Sequence, residues 1–267
     1  LGDIARPREK SKVPFTGEAL LKNQIAYGFT REDLTEILKP MADGGKEPLG
    51  SMGADTPLAI LSTQAQHLSN YFKQLFAQVS NPPIDPIREA VIMSLYTNLG
   101  SQGNILTETP EHCRQIHLDT PVLSNGQLDK IKALNDDSFK SYTINATFSA
   151  TNRPGALERA IDEICANAER ATLMGCNVLI VSNKDITEND APIPSLLAAG
   201  AIHTSLTKLG LRARTSIVVE GGDVIETHHY ATLIGFGANA VNGYLAGDTI
   251  RNEFADELAS GETTIKA

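Results

Sequence analysis

The sequence has few cysteines, and they are poorly placed for a shared role. Its three cysteines, Cys113, Cys165 and Cys176, are odd in number and widely spaced. This spacing indicates neither a disulfide framework nor a close set of metal ligands. Cys165 and Cys176 lie in apolar stretches, so we expect both to be buried structural thiols. A reducing compartment fits this usage.

The sequence also lacks a long apolar run and a cluster of basic residues. Apolar runs such as 177–182 are far shorter than the roughly 20 residues that cross a bilayer, and no signal-peptide pattern opens the chain. Acidic residues outnumber basic ones by 32 to 23, and no basic stretch is long enough to follow a phosphate backbone. We expect no membrane and no nucleic acid as partner, and a cytoplasmic location, or the plastid stroma in a plant or alga.

The 267 residues have two parts of different texture, which we treat as one domain over 1–267. Residues 1–135 are rich in proline and glycine, which predicts helices joined by ordered loops. Residues 136–267 alternate short apolar strands with longer amphipathic helices. Their strand-to-strand spacing of about 35 residues is typical of βαβ crossover units.

The first part is predicted to contain two helices and a proline elbow. Thr30 caps a short helix that begins at Arg31. A second helix covers about 58–79, because apolar residues recur there at three- and four-residue spacing. This apolar stripe consists of Leu68, Phe72, Leu75, Phe76 and Val79. The prolines that follow end the helix, and Asp85 caps the next one with Pro86 at its first position.

The second part predicts an α/β fold in which a parallel sheet is flanked by helices. We expect strands at 142–148, 177–181, 215–219 and 240–241, and helices at about 156–173 and 195–209. A further helix follows residues 220–223, carries His228, His229 and Tyr230, and ends near Gly235. These make about four consecutive β/α units, half of what an eight-fold barrel needs. The sheet is therefore expected to be open or to form a rudimentary, partial (β/α) barrel.

Two patterns look like cofactor or metal sites but have the wrong context. Residues 235–240 match the letters of a dinucleotide fingerprint, but they leave a helix and enter a strand, which is the reverse of the required order. We interpret them as a helix C-cap turn. His228 and His229, near Glu226, lack a third ligand on one helix face. We expect one histidine to hydrogen-bond a loop and the other to pack inside.

The Gly221-Gly222 turn follows an apolar strand, as a phosphate-binding turn does. Glu220 and Asp223 place negative charge on both sides of this turn, which disfavours an anion there. The residues by themselves thus predict an α/β domain without a visible active site.

Several long segments resemble the central domain of glutamate synthases. They are 47–59 (EPLGSMGADTPLA), 71–79 (YFKQLFAQV), 81–89 (NPPIDPIRE), 153–158 (RPGALE), 191–197 (APIPSLL), 228–231 (HHYA) and 235–238 (GFGA). The likeness covers nearly the whole chain, in order. It implies a connecting domain that is a rudimentary relative of that family's FMN barrel.

Members of this family convert L-glutamine, 2-oxoglutarate and a reductant into two L-glutamates. The resemblance implies two catalytic domains in the same polypeptide: an amidotransferase that frees ammonia with its own N-terminal cysteine, and a C-terminal FMN domain that reduces 2-iminoglutarate. Electrons arrive through an iron–sulfur cluster from ferredoxin or an NAD(P)H-dependent subunit. This chain begins with Leu1 and its cysteines lack cluster spacing. We therefore expect no cofactor and no activity in this chain, and place FMN and the iron–sulfur cluster in a missing C-terminal domain.

The resulting hypothesis is a domain that links the two catalytic domains and helps to form the ammonia tunnel. No catalytic, cofactor-binding or metal-binding residue is assigned. The candidate tunnel or interdomain residues are Gly53, Asp55, Thr56, Asn81, Asp85 and Arg88. Thr56 is the candidate for a constriction, and an ordinary Asp-Thr-Pro helix start is the alternative. Two other functions stay open: a stand-alone α/β protein that binds a phosphate ligand, and a separately encoded subunit that docks onto catalytic partners.

Overall fold

The computed structural model describes residues 15–45, 48, 58–73, 85–104, 106–150, 153–184 and 186–260. Its strands are β1 (Thr97–Leu99), β2 (Ile116–Leu118), β3 (Ser141–Asn145), β4 (Thr147–Ser149), β5 (Val178–Ser182), β6 (Asp190–Pro192), β7 (Ser216–Glu220) and β8 (Ala240–Asn242). Its α-helices are α1 (Gly17–Ala26), α2 (Lys39–Gly44), α3 (Pro86–Ile92), α4 (Asn125–Lys132), α5 (Ala156–Leu173), α6 (Ser195–Lys208), α7 (Thr227–Gly235), α8 (Tyr244–Glu253) and α9 (Ala255–Ser260). A π-helical turn, Asp33–Leu38, runs directly into α2.

A four-stranded parallel sheet lies at the centre, with the strand order β3-β5-β7-β8. Neighbours in the sheet follow one another in the β/α rhythm, with α5, α6 and α7 as the connections. The prediction of a parallel sheet flanked by helices is confirmed. No closed barrel forms within the described ranges, and the arrangement is compatible with a partial barrel.

The amphipathic helices place their apolar faces as their periodicity predicts. Helix α5 spans the predicted residues, and its Ile164 and Ala168 are buried against the sheet, with Leu157 and Ile161 partly buried beside them. Three- and four-residue spacing brings these side chains to one face of the helix.

The predicted strand 142–148 is wrong in one respect, because the chain changes partners at Ala146. Strand β3 ends at Asn145 in the parallel sheet, and β4 pairs antiparallel with β6 in a separate two-stranded sheet. Between them the Ala146 amide donates to the Ser182 carbonyl over 2.7 Å, and the Ala146 carbonyl accepts from Ile193 over 2.9 Å. The break follows from these long-range hydrogen bonds, which no local pattern encodes.

The two faces of the sheet are covered by different parts of the chain. Alternate strand residues such as Leu179 and Val219 face α5, α6 and α7. The opposite face, which includes Ile180 and Val218, packs against Leu128 of α4 and against the β1–β2 hairpin. In a closed barrel this second face lines the interior. Here the first part of the chain fills that space.

The free edge of β8 is also covered by the first part of the chain. The Val241 amide donates to the Pro121 carbonyl over 2.7 Å, and the Leu123 amide donates to the Val241 carbonyl over 2.8 Å. Val122 forms a parallel bridge with Val241. This pairing satisfies the backbone groups that an edge strand otherwise exposes.

The predicted helix over 58–79 is wrong for the residues that the structure describes. Within 58–73, only the short 3-10 turns Ala59–Leu61 and Leu68–Phe72 form, and residues 74–79 lie outside the described ranges. Leu68 packs on the main core, and the Phe72 ring lies 4.9 Å from the ring of Phe236. Tertiary contacts with α7 therefore fix this segment in place of a local helix.

The two helix caps predicted from the sequence, at Thr30 and Asp85, both form. The Asp33 amide donates to Thr30 Oγ1 over 3.1 Å, and the Thr30 amide donates to Asp33 Oδ2 over 2.8 Å. Asp85 accepts from the amides of Ile87 and Arg88 at the start of α3. These side chains satisfy amides that the first helical turn leaves without partners.

Candidate functional site

Three polar residues stand side by side at the carboxyl edge of the sheet. Ser182 ends β5, Glu220 ends β7 and Asn242 ends β8, and the sheet register pairs Ser182 with Glu220 and Glu220 with Asn242. All three are buried. Because α/β proteins bind ligands at this edge, these three residues are the first candidates for a functional site.

Glu220 is held by two lysines and a serine, and we call Lys132, Ser182, Lys184 and Glu220 the Glu220 cluster. Lys132 Nζ of α4 and Ser182 Oγ each lie 2.6 Å from Glu220 Oε2. Lys184 Nζ lies 3.7 Å from Glu220 Oε1. Both carboxylate oxygens of Glu220 therefore face donors from the chain itself.

The charge state of Glu220 follows from the balance of burial and pairing. Burial by itself would raise the pKa of Glu220, but the hydrogen bonds from Lys132 and Ser182 and the charges of Lys132 and Lys184 hold this pKa below its usual value. Glu220 is consequently an ionised, paired carboxylate at neutral pH. A carboxylate in this state is a poor general base or acid, since its proton affinity is lowered.

Aromatic rings close the space above Lys184. Lys184 Nζ lies 4.8 Å from the centroid of the Tyr244 ring and 5.9 Å from that of Phe15. The Tyr244 side chain is fully buried, and burial raises the pKa of its hydroxyl. The Tyr27 ring meets that of Tyr244 edge-on at 6.3 Å. The mouth of the sheet is thus filled by the rings of Tyr27, which follows α1, Tyr244 of α8 and Phe15, which precedes α1.

The turn after β7 is tied to the turn after β5. Asn183 Oδ1 accepts from the Gly222 amide over 2.9 Å, and Asn183 Nδ2 donates to Ser195 Oγ over 3.1 Å. Asp223 accepts from the Ser195 amide over 2.9 Å and from the Ser195 hydroxyl. A Cβ at Gly222 would lie 2.6 Å from the Tyr27 ring. Only glycine fits between these groups.

The amides of this turn are already engaged. The Gly221 amide donates to the Asn242 carbonyl over 3.0 Å, and the Gly222 amide donates to Asn183. A phosphate cradle needs such amides to be free and convergent. The turn is therefore built for packing.

A second polar group, which we call the histidine cluster, joins the segment 58–73 to α7. It consists of His67, Ser69, His228, His229 and Thr232. His228 Nε2 donates to the Ser69 carbonyl over 2.9 Å, and the Ser69 and Thr232 hydroxyls lie 3.0 Å apart. His67 Nε2 donates to the Asp223 carbonyl over 2.9 Å, while His67 Nδ1 accepts from the Ser69 amide. One neutral tautomer of His67 satisfies both bonds.

His229 is the buried member of this cluster. Its Nδ1 accepts from the Ile225 amide over 3.1 Å, and its ring stacks on His67 with centroids 4.0 Å apart. Burial first, and then the nearby His67, His228 and Lys73, lower the pKa of His229 to about 3. Of the adjacent histidines, His228 bonds a loop and His229 packs inside, as the sequence predicted. No group of three or more metal-ligating side chains occurs in the described ranges.

The fingerprint-like residues 235–240 leave α7 and enter β8, which confirms their interpretation as a C-cap turn. Gly237 has φ of +105°, and a Cβ there would lie 2.2 Å from His203 Nδ1. Arg212 fixes the same turn, donating to the Gly237 carbonyl over 2.6 Å and to Asn239 Oδ1 over 3.0 Å. Gly237 therefore allows the backbone turn that ends α7.

The proposed tunnel and interdomain residues are mostly outside the part that the structure describes. Gly53, Asp55, Thr56 and Asn81 lie in the undescribed segments 49–57 and 74–84. Asp85 and Arg88 are described and pair with each other, with Arg88 Nε 2.7 Å from Asp85 Oδ2. That hydrogen bond, together with backbone amides, lowers the pKa of Asp85. Both residues lie away from the Glu220 cluster along the chain and do not join it.

Local sequence patterns do not identify the Glu220 cluster as a unit. In the sequence Glu220 is only an acid beside a turn, and Lys132, Ser182 and Lys184 belong to no motif. A signal was present, because Ser182 and Glu220 are polar residues at the ends of apolar strands. The expected buried thiol is confirmed for Cys176, whereas Cys165 is only partly buried.

No helix in the described ranges is long and apolar enough to cross a membrane.

Known proteins that resemble the chain agree on one family. The model of the glutamate synthase central domain family matches residues 22–267. The large chain of the NADPH glutamate synthase of Bacillus subtilis is 48% identical over 247 residues, which are 92% of this chain and 16% of that relative.

Relatives with other electron donors also match. The NADH glutamate synthase of Schizosaccharomyces pombe is 41% identical over 227 residues, 84% of this chain and 11% of the relative. The chloroplastic ferredoxin-dependent glutamate synthase of Spinacia oleracea is 41% identical over 244 residues, 90% of this chain and 15% of the relative. The chain spans less than a fifth of each of these relatives. These matches show that the chain belongs to the glutamate synthase central domain family.

Proposed function

We propose that this domain is a non-catalytic connector in a glutamate synthase large chain. It fixes the distance and orientation of an amidotransferase domain and an FMN-binding synthase domain of the same polypeptide, and it contributes to the wall of an ammonia tunnel between them. The whole enzyme would convert L-glutamine, 2-oxoglutarate and a reductant into two L-glutamates. The chain by itself would catalyse neither half-reaction.

The observation that carries this proposal is the state of the carboxyl edge of the sheet. An α/β enzyme keeps polar groups free at this edge to meet a substrate. Here Glu220 is neutralised by Lys132 and Lys184, and the turn amides are engaged. Rings from Tyr27 and Tyr244 occupy the mouth. A site filled in this way supports a structural role for a barrel-like domain.

Rigid placement is what a channelled intermediate requires. Ammonia that escapes into bulk water is protonated and lost to the second reaction, so the two catalytic domains must stay in register. The domain supports this with a sheet covered on both faces and on its β8 edge. The loop at Gly53, Asp55 and Thr56 is proposed to line the tunnel, with Thr56 at its constriction.

Helix α3 and the residues after it are proposed to face a neighbouring domain, together with Asn81, Asp85 and Arg88. Large apolar side chains are exposed there, with Ile87 90% and Leu95 67% accessible. Exposed apolar surface of this kind is typical of interaction sites. FMN and the iron–sulfur cluster are proposed to belong to the C-terminal domain of the whole enzyme.

The electron donor and location are proposed only as far as the relatives suggest. NADPH-, NADH- and ferredoxin-dependent enzymes all match this chain. Ferredoxin or an NAD(P)H-dependent subunit is therefore the proposed donor. The proposed location is the cytoplasm, or the plastid stroma in a plant or alga.

The test of the tunnel role uses the whole enzyme that contains this domain. Thr56→Phe should leave glutamine hydrolysis running while glutamate formation falls, because a ring blocks a passage that a hydroxyl leaves open. Thr63→Phe is the matched control, since Thr63 is an exposed threonine of the same region. Both rates are measured on the same preparation. Equal rates of hydrolysis and synthesis in Thr56→Phe would contradict the tunnel assignment.

A further inference from the structure

The two edges of the parallel sheet differ in how far the chain covers them. Residues 121–123 pair with β8, so the backbone groups on that edge have partners. At the opposite edge, among the described strands, β3 pairs with β5 alone and β4 with β6 alone. In a closed barrel both edges of the sheet are paired. The outer edge of β3 and β4 is therefore where this sheet stays open.

The bonds made by β3 show which of its backbone groups face outward. The Ala146 amide, directly after β3, donates to the Ser182 carbonyl of β5 over 2.7 Å. Successive residues of a strand turn their backbone groups to opposite sides, so the even-numbered residues of β3 bond β5. The odd-numbered residues face away from β5. Ser141 agrees with this assignment, because its amide donates to the Leu134 carbonyl over 3.0 Å.

The same alternation continues into β4, so the edge is continuous across the change of partners at Ala146. The Ile193 amide donates to the Ala146 carbonyl over 2.9 Å, and the Ala150 amide donates to the Asn189 carbonyl over 2.7 Å. Even-numbered residues therefore face β6, as they face β5 in β3. Four odd-numbered residues face outward, and their amides and carbonyls bond no group in the described part of the chain: Thr143, Asn145, Thr147 and Ser149.

This edge lacks the features that keep edge strands from pairing with other chains. Natural edge strands are protected by lysine, proline, a bulge or a covering element. None of residues 141–149 is charged or a proline. Thr143, Asn145 and Ser149 are exposed, and Thr147 is half-buried. Free N–H and C=O groups at two-residue spacing match an extended backbone, so the partner that this edge fits is another strand.

A two-fold axis at Ala146 makes the edge complementary to itself. In an antiparallel ladder, opposite residues that face each other exchange both backbone hydrogen bonds. With Ala146 opposite its own copy, Thr143 lies opposite Ser149 of the second copy, and Asn145 lies opposite Thr147 of the second copy. Each of these four residues then donates once and accepts once. No other antiparallel register pairs all four.

The side chains also match in this register. Ile144 lies opposite Phe148 of the second copy, so an apolar side chain meets an apolar one. The residues that exchange hydrogen bonds are polar on both sides of the axis. Like charges opposite each other destabilise a strand pair, and this edge has none. A self-complementary patch of this kind is what a two-fold dimer requires.

We propose that the chain forms a two-fold dimer in which β3 and β4 of the two copies pair antiparallel, centred on Ala146. The pairing joins the two four-stranded sheets. It is independent of the proposed tunnel, whose test measures the coupling of glutamine hydrolysis to synthesis. A strand edge buries little surface, so the dimer should be reversible, with a dissociation constant of about 10–100 μM. Because each copy has a net charge of −9, added salt should strengthen the dimer.

Sedimentation of the full chain, over concentrations that span this dissociation constant, tests the dimer. Asn145→Pro removes an outward N–H and no hydrogen bond of the sheet, a position at which edge strands tolerate proline, so it should leave a monomer. Asn145→Ala is the matched control, because it keeps the amide and should keep the dimer.

A charge on the edge tests the same contact without a change of the backbone. Asn145→Lys places two like charges at diagonal positions across the axis and should weaken the dimer about fivefold. It decides the question if Asn145→Pro does not fold. Asn252→Lys is its control, since Asn252 is exposed on α8, which follows β8 at the covered edge.

Amide exchange locates the contact on the molecule. In concentrated wild-type chain the outward amides should be protected, and on dilution they should exchange freely. The amides of β8 should exchange equally at both concentrations, because residues 121–123 cover that edge in each copy.

Four results would overturn the proposal. The first is a monomer at every concentration. The second is a dimer whose outward amides on β3 and β4 still exchange freely, which would place the contact on another surface. The third is undiminished dimer affinity in folded Asn145→Pro or in Asn145→Lys. The fourth is a dimer that salt weakens, which would indicate a contact held by ion pairs.

Discussion

The Glu220 cluster and the histidine cluster both hold the first part of the chain against the β/α core, but by opposite electrostatics. The Glu220 cluster keeps a buried carboxylate ionised by surrounding it with Lys132 and Lys184. The histidine cluster keeps a buried imidazole, His229, neutral by removing water and placing other imidazoles beside it. The Glu220 cluster is stabilised by paired charges, whereas the histidine cluster is stable only while His229 carries no charge. We therefore expect loss of a lysine to weaken the Glu220 cluster and a fall in pH to weaken the histidine cluster.

The largest effect should come from leaving Glu220 without its closest cation. Lys132→Met should lower the free energy of unfolding by about 3 kcal/mol, the low end for a broken buried pair, because Lys184 remains. Urea denaturation at pH 7.5 measures it. Lys130→Met, on the same helix, is the control, since Lys130 forms no ion pair among the described residues. Adding Glu220→Gln to Lys132→Met should recover part of the loss. A decrease in the free energy of unfolding no larger than in Lys130→Met would contradict this role of Lys132.

Acid should act on the histidine cluster first. The pKa of His229 is about 3 in the folded chain and about 6.5 in an unfolded one. Between these values the unfolded chain binds more protons, so stability is complete above pH 6.5 and decreases as the pH falls. The loss between pH 6.5 and 5 should be about 2 kcal/mol. Glu220, with a pKa below its usual value, loses its contribution only at lower pH.

His229→Asn sharpens this difference, because Asn offers an acceptor near the position of Nδ1 but does not titrate. Its free energy of unfolding should be lower at pH 7.5 and should depend less on pH between 6.5 and 5 than that of the wild type; a smaller slope remains from His203, whose pKa is also lowered by burial and by Arg212. His117→Asn, at an exposed histidine, should keep the pH dependence of the wild type. Denaturation curves at three pH values make the comparison. A slope in His229→Asn as steep as in the wild type would assign the acid sensitivity to another group.

The smallest effect should come from one neutral hydrogen bond of the histidine cluster. Ser69→Ala removes the hydroxyl that lies 3.0 Å from Thr232 Oγ1 and should lower the free energy of unfolding by about 1 kcal/mol. In Ser69→Ala the amides of 58–73 should exchange faster than in the wild type, while the amides of the sheet do not change, since the lost bond ties this segment to α7. Thr63→Ala is the exposed control. Equal exchange rates in both variants would show that Ser69 does not anchor the segment.

Regular elements with strong periodicity were predictable from the sequence. The bounds of α5 agree with the prediction, and the starts of α6 and the positions of β5, β7 and β8 agree within one or two residues. Each of these elements buries an apolar face whose spacing is local information. The caps at Thr30 and Asp85 were predictable for the same reason, since a cap bonds amides only two or three residues away.

The segment around Leu68 and Phe72 shows why other parts were not predictable. Its apolar spacing is that of a helix, yet in the described part the chain forms only 3-10 turns. His67 and Ser69 use their polar atoms to bond Asp223 and Thr232, which are more than 150 residues away in the chain. Likewise, Lys132 and Glu220 are 88 residues apart. Contacts between residues so far apart in the chain produce no periodic pattern in the sequence.

The sequence by itself determined the alternation of strands and helices, the parallel sheet that this alternation requires, and the family resemblance. The tertiary structure decided that the carboxyl edge is filled, and that α4 and the β1–β2 pair occupy the face that would line a barrel. The physical reason is the range of the interactions. Secondary structure follows from neighbours within a few residues, whereas the pairing of a buried charge depends on which distant side chains the fold brings to it.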